Sequence, residues 1–258
     1  MIPKKQNNIS NPRDFRPISL KSCLAKVAER LMLIKIKELL DKNKIIINQQ
    51  SGFRQKRQTK ENFFSLTQKA IETLNRCKKM CTIFFDIASA FDKVWHDGLI
   101  YKLIKLSFPK YIIIWLKQFL RARSFAVRIS NSITRRFIIE AGVPQGAVLS
   151  PTLFSIFIND IPINYVRNKN YSLLFADDLC SFHIFKKKKT IVKQIQNYLK
   201  RIEIWLKTWR LMMAPHKCNY IVFSNNKSKS DDDDLEIKLL GLKINKNDSP
   251  TFLGIRFD

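Results

Sequence analysis

The chain predicts an α+β fold: a small, partly antiparallel sheet with helices packed on one side. Three observations point there. The 258 residues are 45% apolar, enough for a sizeable core. Short β-rich runs alternate with longer stretches at helical spacing, with no internal repeat. No stretch approaches the roughly 18 apolar residues a membrane helix needs; the longest uninterrupted one is Tyr111–Leu116.

The elements follow in order. Residues 1–20 hold three prolines among polar residues, which predicts an extended or hairpin lead-in. From Ser22 to about Asn43, Leu24, Val27, Ala28, Leu31 and Ile34 recur at helical spacing. Thr59 is placed to cap a second helix with Phe63, Thr67, Ala70, Ile71 and Leu74 on one face. Met80–Phe85 is β-rich and ends at Asp86. Phe125–Ile129 and Arg136–Ile139 read as strands joined by the polar Ser130–Thr134. Pro151 opens a helix whose stripe is Leu153, Phe154, Phe157, Ile158 and Ile161. Tyr171–Ala176 and Leu179–Ile184 are apolar strands flanking Asp177 and Asp178. A long amphipathic helix covers about Thr190–Thr208, and strands follow at Tyr220–Phe223, Leu235–Leu239 and Thr251–Phe257.

Lys and Arg total 47 against 21 Asp and Glu, a formal charge of +26. Half of that excess, +13, lies in residues 1–80, in loops and helices alike. Such a surface fits a polyanionic partner, most simply nucleic acid. The run Lys186–Lys189 reads as an exposed turn, and Asp231–Asp234 as a solvated hairpin tip or linker. Five cysteines, with no CxxC pair, argue against a zinc site or disulfide frame. MIPKKQNN lacks the apolar run of a signal peptide. Six glycines and no GxGxxG or GxxxxGK[ST] argue against Rossmann and P-loop sites.

The carboxylates carry the candidate chemistry. Asp177 and Asp178 lie side by side at a predicted β-hairpin turn, where two anions repel unless cations hold them. Asp86 ends a separate apolar strand. Three such carboxylates brought together would bind two divalent ions of the kind used in nucleotidyl transfer, and Mg²⁺ suits carboxylates, waters and phosphates. Taken alone, an Asp-Asp pair at a hairpin tip is most often an ordinary turn.

The surrounding strings are more specific. In order along the chain stand IPKK with DFRPISL (Asp14–Leu20), QSGFRQKRQT (Gln50–Thr59) and FFDIASAFDKVWHDGL (Phe84–Leu99). They continue with AGVPQGAVLSPTLFSIFINDIP (Ala141–Pro162), FADD (Phe175–Asp178), WLKTWRLMMAPHKCNYIVFS (Trp205–Ser224) and TFLGIRFD (Thr251–Asp258). The set resembles the reverse transcriptases of non-LTR (LINE-type) retrotransposons, most of all the jockey-like group, over almost the whole chain.

The resemblance implies a right-hand polymerase. Residues 1–80 would be fingers and 81–258 palm, with 108–142 able to return to the fingers. Because the matching strings begin inside the fingers and end at the primer grip, neither endonuclease nor thumb is expected. The implied activity is RNA-directed DNA synthesis from deoxynucleoside triphosphates on an RNA template with a DNA primer. The expected cofactor is two Mg²⁺ ions, with Mn²⁺ as a substitute. The other reading is a truncated, inactive nucleic-acid-binding remnant of the same element. A ribonucleoprotein with the element RNA is implied, in cytoplasm and nucleus, without a membrane.

Position by position, Asp86, Asp177 and Asp178 would be the metal-binding triad, and Ile87 would offer its backbone carbonyl to the second ion. Phe91 would be the ribose gate, Gln145 would pack near the new base pair, and Gly146 would admit close backbone approach. Lys4, Lys5, Arg13 and Arg16 are the candidates to hold the triphosphate. Lys217 would be the candidate cation near the leaving pyrophosphate. Arg54 and Arg57 would meet template backbone or buttress the fingers. Phe252, Leu253 and Gly254 would form the primer grip. Trp95 and His96 read as packing and capping residues, Trp205 and Trp209 as core, and Ser150 as a helix N-cap. His183 and His216 have no partners at ligand spacing.

Overall fold

A computed structural model describes residues 2–3, 15–16, 18–121, 123–129, 131–163, 165–166, 169–225 and 234–257. The first elements are β1 (Ile2–Pro3), β2 (Phe15–Arg16), α1 (Cys23–Lys42), α2 (Thr59–Asn75), β3 (Lys79–Phe85), α3 (His96–Lys105) and α4 (Lys110–Leu120). Four two-residue strands follow: β4 (Ser124–Phe125), β5 (Arg128–Ile129), β6 (Ser132–Ile133) and β7 (Phe137–Ile138). Then come α5 (Ser150–Phe157), β8 (Tyr165–Val166), β9 (Lys169–Asn170), β10 (Ser172–Phe175), β11 (Asp178–Phe185), α6 (Lys188–Trp209) and β12 (Asn219–Phe223). The last strands are β13 (Lys238–Leu239), β14 (Leu242–Lys243), β15 (Asn245–Lys246), β16 (Thr251–Phe252) and β17 (Ile255–Arg256). The chain divides into two compact units. One is Met1–Ile46 with Phe91–Phe157; the other is Ile47–Ala90 with Ile158–Asp258.

The second unit is built on a five-stranded sheet in the order β10-β11-β3-β12-β15. All pairings are antiparallel except β12 with β15. Strand alternation sends Met80 and Phe84 of β3 and Cys180 and Phe182 of β11 to one face, where Leu66 and Ala70 of α2 cover them. Phe252 and Phe257 complete that cluster, their rings 5.2 and 6.0 Å from Phe84. The opposite face carries Phe85 and His183, both against Tyr198 of α6. The α+β class and the antiparallel sheet are as expected, but the helices lie on both faces rather than one. The reason is visible in β3 and β11, which are buried almost without alternation and so need cover on each side.

In the first unit α3 packs against α4 and α5. The fully buried Leu99, Leu103, Ile112, Leu116, Leu153, Phe154 and Phe157 line these helices. The amine of buried Lys102 donates to the Phe157 carbonyl, so this cation is not left without a partner. Two nested strand pairs, β4 with β7 and β5 with β6, form a ribbon, with β6 falling inside Ser130–Thr134, the stretch expected to link two strands.

Several local expectations shift. Ser22 caps α1, accepting from Ala25 N at 3.2 Å. Yet the apolar stripe of α1 faces out: Leu24 is 83% exposed and Leu31 61%, while Glu29, Ile36 and Leu40 are buried. Glu29 turns the helix. Its carboxylate accepts from Val148 N and Leu149 N at 2.8 and 3.2 Å and from Lys21 Nζ at 2.6 Å. Helix α2 is rotated similarly, burying Asn62, Leu66, Ala70 and Thr73; Gln58, not Thr59, is its N-cap. Ser150 is the first residue of α5 rather than its cap, and its hydroxyl donates to Pro144 O at 2.7 Å.

Two of the four lysines expected in a turn, Lys188 and Lys189, open α6. Only Lys238–Leu239 of the expected strand Leu235–Leu239 is extended in a ladder. The expected strand Thr251–Phe257 is instead a tight hairpin, because Leu253 and Gly254 take φ of 52° and 80°. Residues 231–233 of the acidic run lie outside the described residues.

His183 gives a stability test. It is buried in β11 beside the Ser181 hydroxyl, 3.0 Å from Nε2, and burial pushes its pKa from the ordinary 6.5 down to about 3. Between those values the unfolded chain binds the extra proton and the folded chain does not. Stability is therefore intact above about pH 6.5 and lost as pH falls towards 3. His183→Gln keeps a polar atom for Ser181 and removes the titration. Urea melts at neutral pH and at about pH 4 should show a smaller acid loss for this variant.

Candidate active site

The β3–β11 register assembles the carboxylates. Leu179 pairs with Phe85, which sets Asp178, the first residue of β11, opposite Asp86, the residue that leaves β3. Asp177 precedes Asp178 in the two-residue turn that joins β10 to β11, where Phe175 pairs with Asp178. Like charges placed opposite across a ladder repel. Asp178 records this: desolvation first, then the charges of Asp177 and Asp86, push its pKa from 3.8 up to about 6, although its side chain still reaches solvent.

The segment after α6 braces Asp86. Ile87 bridges Met213, with Ala88 N donating to Met212 O at 2.8 Å and Ala214 N to Asp86 O at 3.0 Å. The Ile87 carbonyl is not among the groups that close this bridge. The same segment brings Lys217, whose Nζ lies 3.8 Å from Asp86 Oδ2 in an exposed pair. Asp86, Ile87, Asp177, Asp178 and Lys217 thus all belong to the second unit.

The sequence reading missed Gln50. This buried residue lies against the turn that carries Asp177: its Oε1 accepts from Ala176 N at 3.0 Å and its Nε2 donates to Ala176 O at 3.3 Å. The only sequence signal is a polar residue before Ser-Gly in QSGFR, which periodicity does not distinguish. Arg54 buttresses this loop, donating from Nη1 to Ile47 O and Gln50 O at 3.0 and 3.2 Å. Arg57 pairs with Glu61 at 3.6 Å on the exposed start of α2. Phe252 is buried in the core, so its ring packs on Phe84, while Gly254 at the hairpin tip is exposed.

The first unit holds the other set. Phe91 is half-buried and stacks on Phe154, centroids 4.6 Å apart and planes 18° apart. Its carbonyl accepts from Val143 N at 2.8 Å, which ties the Pro-Gln-Gly loop down. Gln145 donates from Nε2 to Asp92 Oδ1 at 2.9 Å, and its carbonyl accepts from Ser19 N at 2.8 Å. Gly146 takes φ of 94°, and a Cβ there would lie 3.3 Å from Ser19 O. His96 is buried with Nε2 2.8 Å from Gly142 O; burial pushes its pKa down. Lys4, Lys5 and Arg13 lie outside the described residues; for Arg16 only the backbone, paired in β2, is described.

Among the described residues, no three His, Cys, Asp or Glu side chains converge as a ready metal-ligand set. The donor chemistry nevertheless fits a divalent ion. Asp178 stands with the charges of Asp177 and Asp86 acting on it, and these, after desolvation, raise its pKa; a cation there would oppose both effects. Mg²⁺ in particular uses one or two carboxylates and completes its shell with waters and phosphates rather than a protein cage.

The comparisons agree with this architecture. The family described as "Reverse transcriptase (RNA-dependent DNA polymerase)" matches residues 2–257, and the chain belongs to it. Its relatives are of the jockey-like, non-LTR kind. The probable RNA-directed DNA polymerase from transposon BS of Drosophila melanogaster is 33% identical over the whole chain. The RNA-directed DNA polymerase from mobile element jockey of the same organism is 32% identical, again over the whole chain. The chain spans 29% and 28% of those two proteins. Apo telomerase from Candida tropicalis shares the fold, with a TM-score of 0.59 at 13% identity over 91% of this chain and 39% of that one. Among the described residues no helix is long and apolar enough to cross a membrane.

The raised Asp178 predicts a stability effect. The folded chain holds this proton up to about pH 6 and the unfolded chain releases it near 4, so ionisation costs stability as pH rises through that window. Asp178→Asn removes the cost. Without divalent ions, its Tm at neutral pH should rise by about 1–2 °C, discounted for solvent exposure. A lower Tm for the variant would mean that carboxylate repulsion does not weaken this corner.

Proposed function

We propose that this chain carries an RNA-directed DNA polymerase site that extends a DNA primer on an RNA template. The observation that carries the reading is the Asp86–Asp178 juxtaposition, with Asp177 beside it, in a chain of the reverse transcriptase family. The relatives named for RNA-directed DNA polymerase activity support the same substrate class. The reaction joins the primer's terminal oxygen to the α-phosphorus of a deoxynucleoside triphosphate and releases pyrophosphate. Two Mg²⁺ ions, or Mn²⁺ in their place, held by Asp86, Asp177, Asp178 and the Ile87 carbonyl, would supply the positive charge that activates the attacking oxygen and steadies the leaving group.

The chain's own residues fill defined roles in this reading. Lys217, beside Asp86, neutralises charge on the departing pyrophosphate. Phe91, immobilised on Phe154, presents a rigid ring that excludes a ribose 2′-hydroxyl. Gln145, oriented by Asp92, sits near the new base pair, and Gly146 lets backbone approach it. The tip at Leu253 and Gly254 seats the primer end. Lys4, Lys5, Arg13 and Arg16 are the candidates to hold the triphosphate. Residues 1–80 serve as fingers and 81–258 as palm, with 108–142 returning to the fingers. The charge of +26 holds template and primer through their phosphates and would act equally on the element RNA in a ribonucleoprotein.

Primer extension on poly(rA)/oligo(dT) with dTTP and Mg²⁺ tests the reading. Wild type should extend, and Asp177→Asn should lose on the order of 10²–10³ in rate while primer–template binding at matched salt is retained. Equal extension by both proteins would remove the aspartates from the chemistry. Phe91→Ala should relax exclusion of ribonucleotides by about tenfold or more; unchanged sugar preference would refute the gate.

A further inference from the structure

The Gln50–Gly52 segment is built onto the catalytic turn. Gln49 and Ser51 run beside β10 as a short parallel addition to its free edge: Leu174 N donates to Gln49 O at 3.0 Å, and Ser51 N donates to Leu174 O at 2.8 Å. Asn62, on the first turns of α2, pins the same place from the other side. Its Oδ1 accepts from the Ser51 hydroxyl at 2.7 Å and its Nδ2 donates to Leu174 O at 3.4 Å. Gln50, Ser51 and Asn62 are each at most 3% exposed.

From that anchored position one side-chain amide holds both backbone groups of Ala176. Gln50 Oε1 accepts from Ala176 N and, at 2.7 Å, from Gly52 N, while Nε2 donates to Ala176 O. Ala176 needs such support. It takes φ of 56°, a left-handed conformation that costs a non-glycine residue on the order of 1–3 kcal/mol, at the turn position that usually holds glycine. The following residues are Asp177 and Asp178. Gly52 makes the approach possible: a Cβ there would lie 2.2 Å from Ala176 N.

We infer that Gln50 is a positioning residue for catalysis, a brace that holds the Ala176 turn so that Asp177 and Asp178 are presented in register with Asp86. The inference rests on the proposed polymerase reading of those aspartates. The brace touches no reacting atom; it acts by fixing the backbone on which two carboxylates stand, so its loss should be felt in turnover and metal use rather than in substrate binding.

The test is Gln50→Met, which keeps the side-chain volume and removes all three bonds. It is measured with wild type and Asp177→Asn in steady-state primer extension across a Mg²⁺ titration, alongside Tm and primer–template affinity. The expected result is a fall in kcat of about tenfold or more, with a rise in the Mg²⁺ needed for half-maximal rate. KM for dTTP and duplex affinity should stay near wild type. Adding Ala176→Gly should recover part of the lost kcat, because glycine adopts that φ without a brace.

A folded Gln50→Met with wild-type kcat and Mg²⁺ dependence would overturn the inference. So would a loss of activity that only follows a fall in Tm and duplex binding, with no recovery from Ala176→Gly. If Gln50→Met does not fold, Gln50→Glu keeps an acceptor for the two N–H groups and loses only the donor to Ala176 O. The same two measurements then decide, with a smaller loss expected. An active Asp177→Asn would instead sink the polymerase reading itself, whatever Gln50→Met does.

Discussion

Asp86 and Asp178 meet because β3 and β11 pair antiparallel along their length, and everything else in the second unit answers to that pairing. The ladder is buried on both faces, so its ends are positioned by a rigid core rather than by loops. Two like charges are thereby set opposite each other at a strand end, an arrangement that local preference alone would avoid. Desolvation first, and then the charges of Asp177 and Asp86, raise the Asp178 pKa at this corner.

The surrounding structure contains this repulsion by holding backbone rather than by neutralising every charge. Met212–Cys218 clips the exit from β3 through backbone bonds and brings Lys217 to Asp86. Gln50 clips the opposite turn through Ala176, and Gly52 leaves the space in which it does so. An exposed lysine at 3.8 Å contributes little fixed attraction.

The first unit shows a parallel economy of backbone holds. Glu29 takes the N–H groups of Val148 and Leu149 where α5 begins. Gly142, at φ 91°, admits the Asp92 backbone, which a Cβ would meet at 2.8 Å. The Phe91 and Ser19 backbones tie the loop around Gln145 on either side. These holds fix the loop while Gln145 and Gly146 stay accessible at its tip.

The strand that ends just before Asp86, the two strands flanking the Asp177 turn, and the long amphipathic α6 were legible in residue order because strand and helix periods leave strong patterns; the turn itself falls one residue earlier than expected, at Ala176 and Asp177, with Asp178 opening β11. The ordered motifs also marked the family, which a short string does not. The facing of α1 was not legible. Leu24, Val27, Leu31 and Ile34 repeat at helical spacing, but Glu29 bonds the Val148 and Leu149 backbone, 119 and 120 residues away, and turns that stripe outward. Nor was Gln50, whose partner lies 126 residues away. Sequence alone determined the long strands β3, β10 and β11 and the helices α1, α2, α5 and α6, which residues carry charge, and which carboxylates are chemically available, since each depends on neighbours a few residues apart; α3, α4 and the hairpin of β16 and β17 emerge only in the fold. Only the tertiary structure decided which helix face is covered, which carboxylates stand opposite each other and which buried amide supports them, because those depend on register and long-range hydrogen bonds that local pattern does not encode.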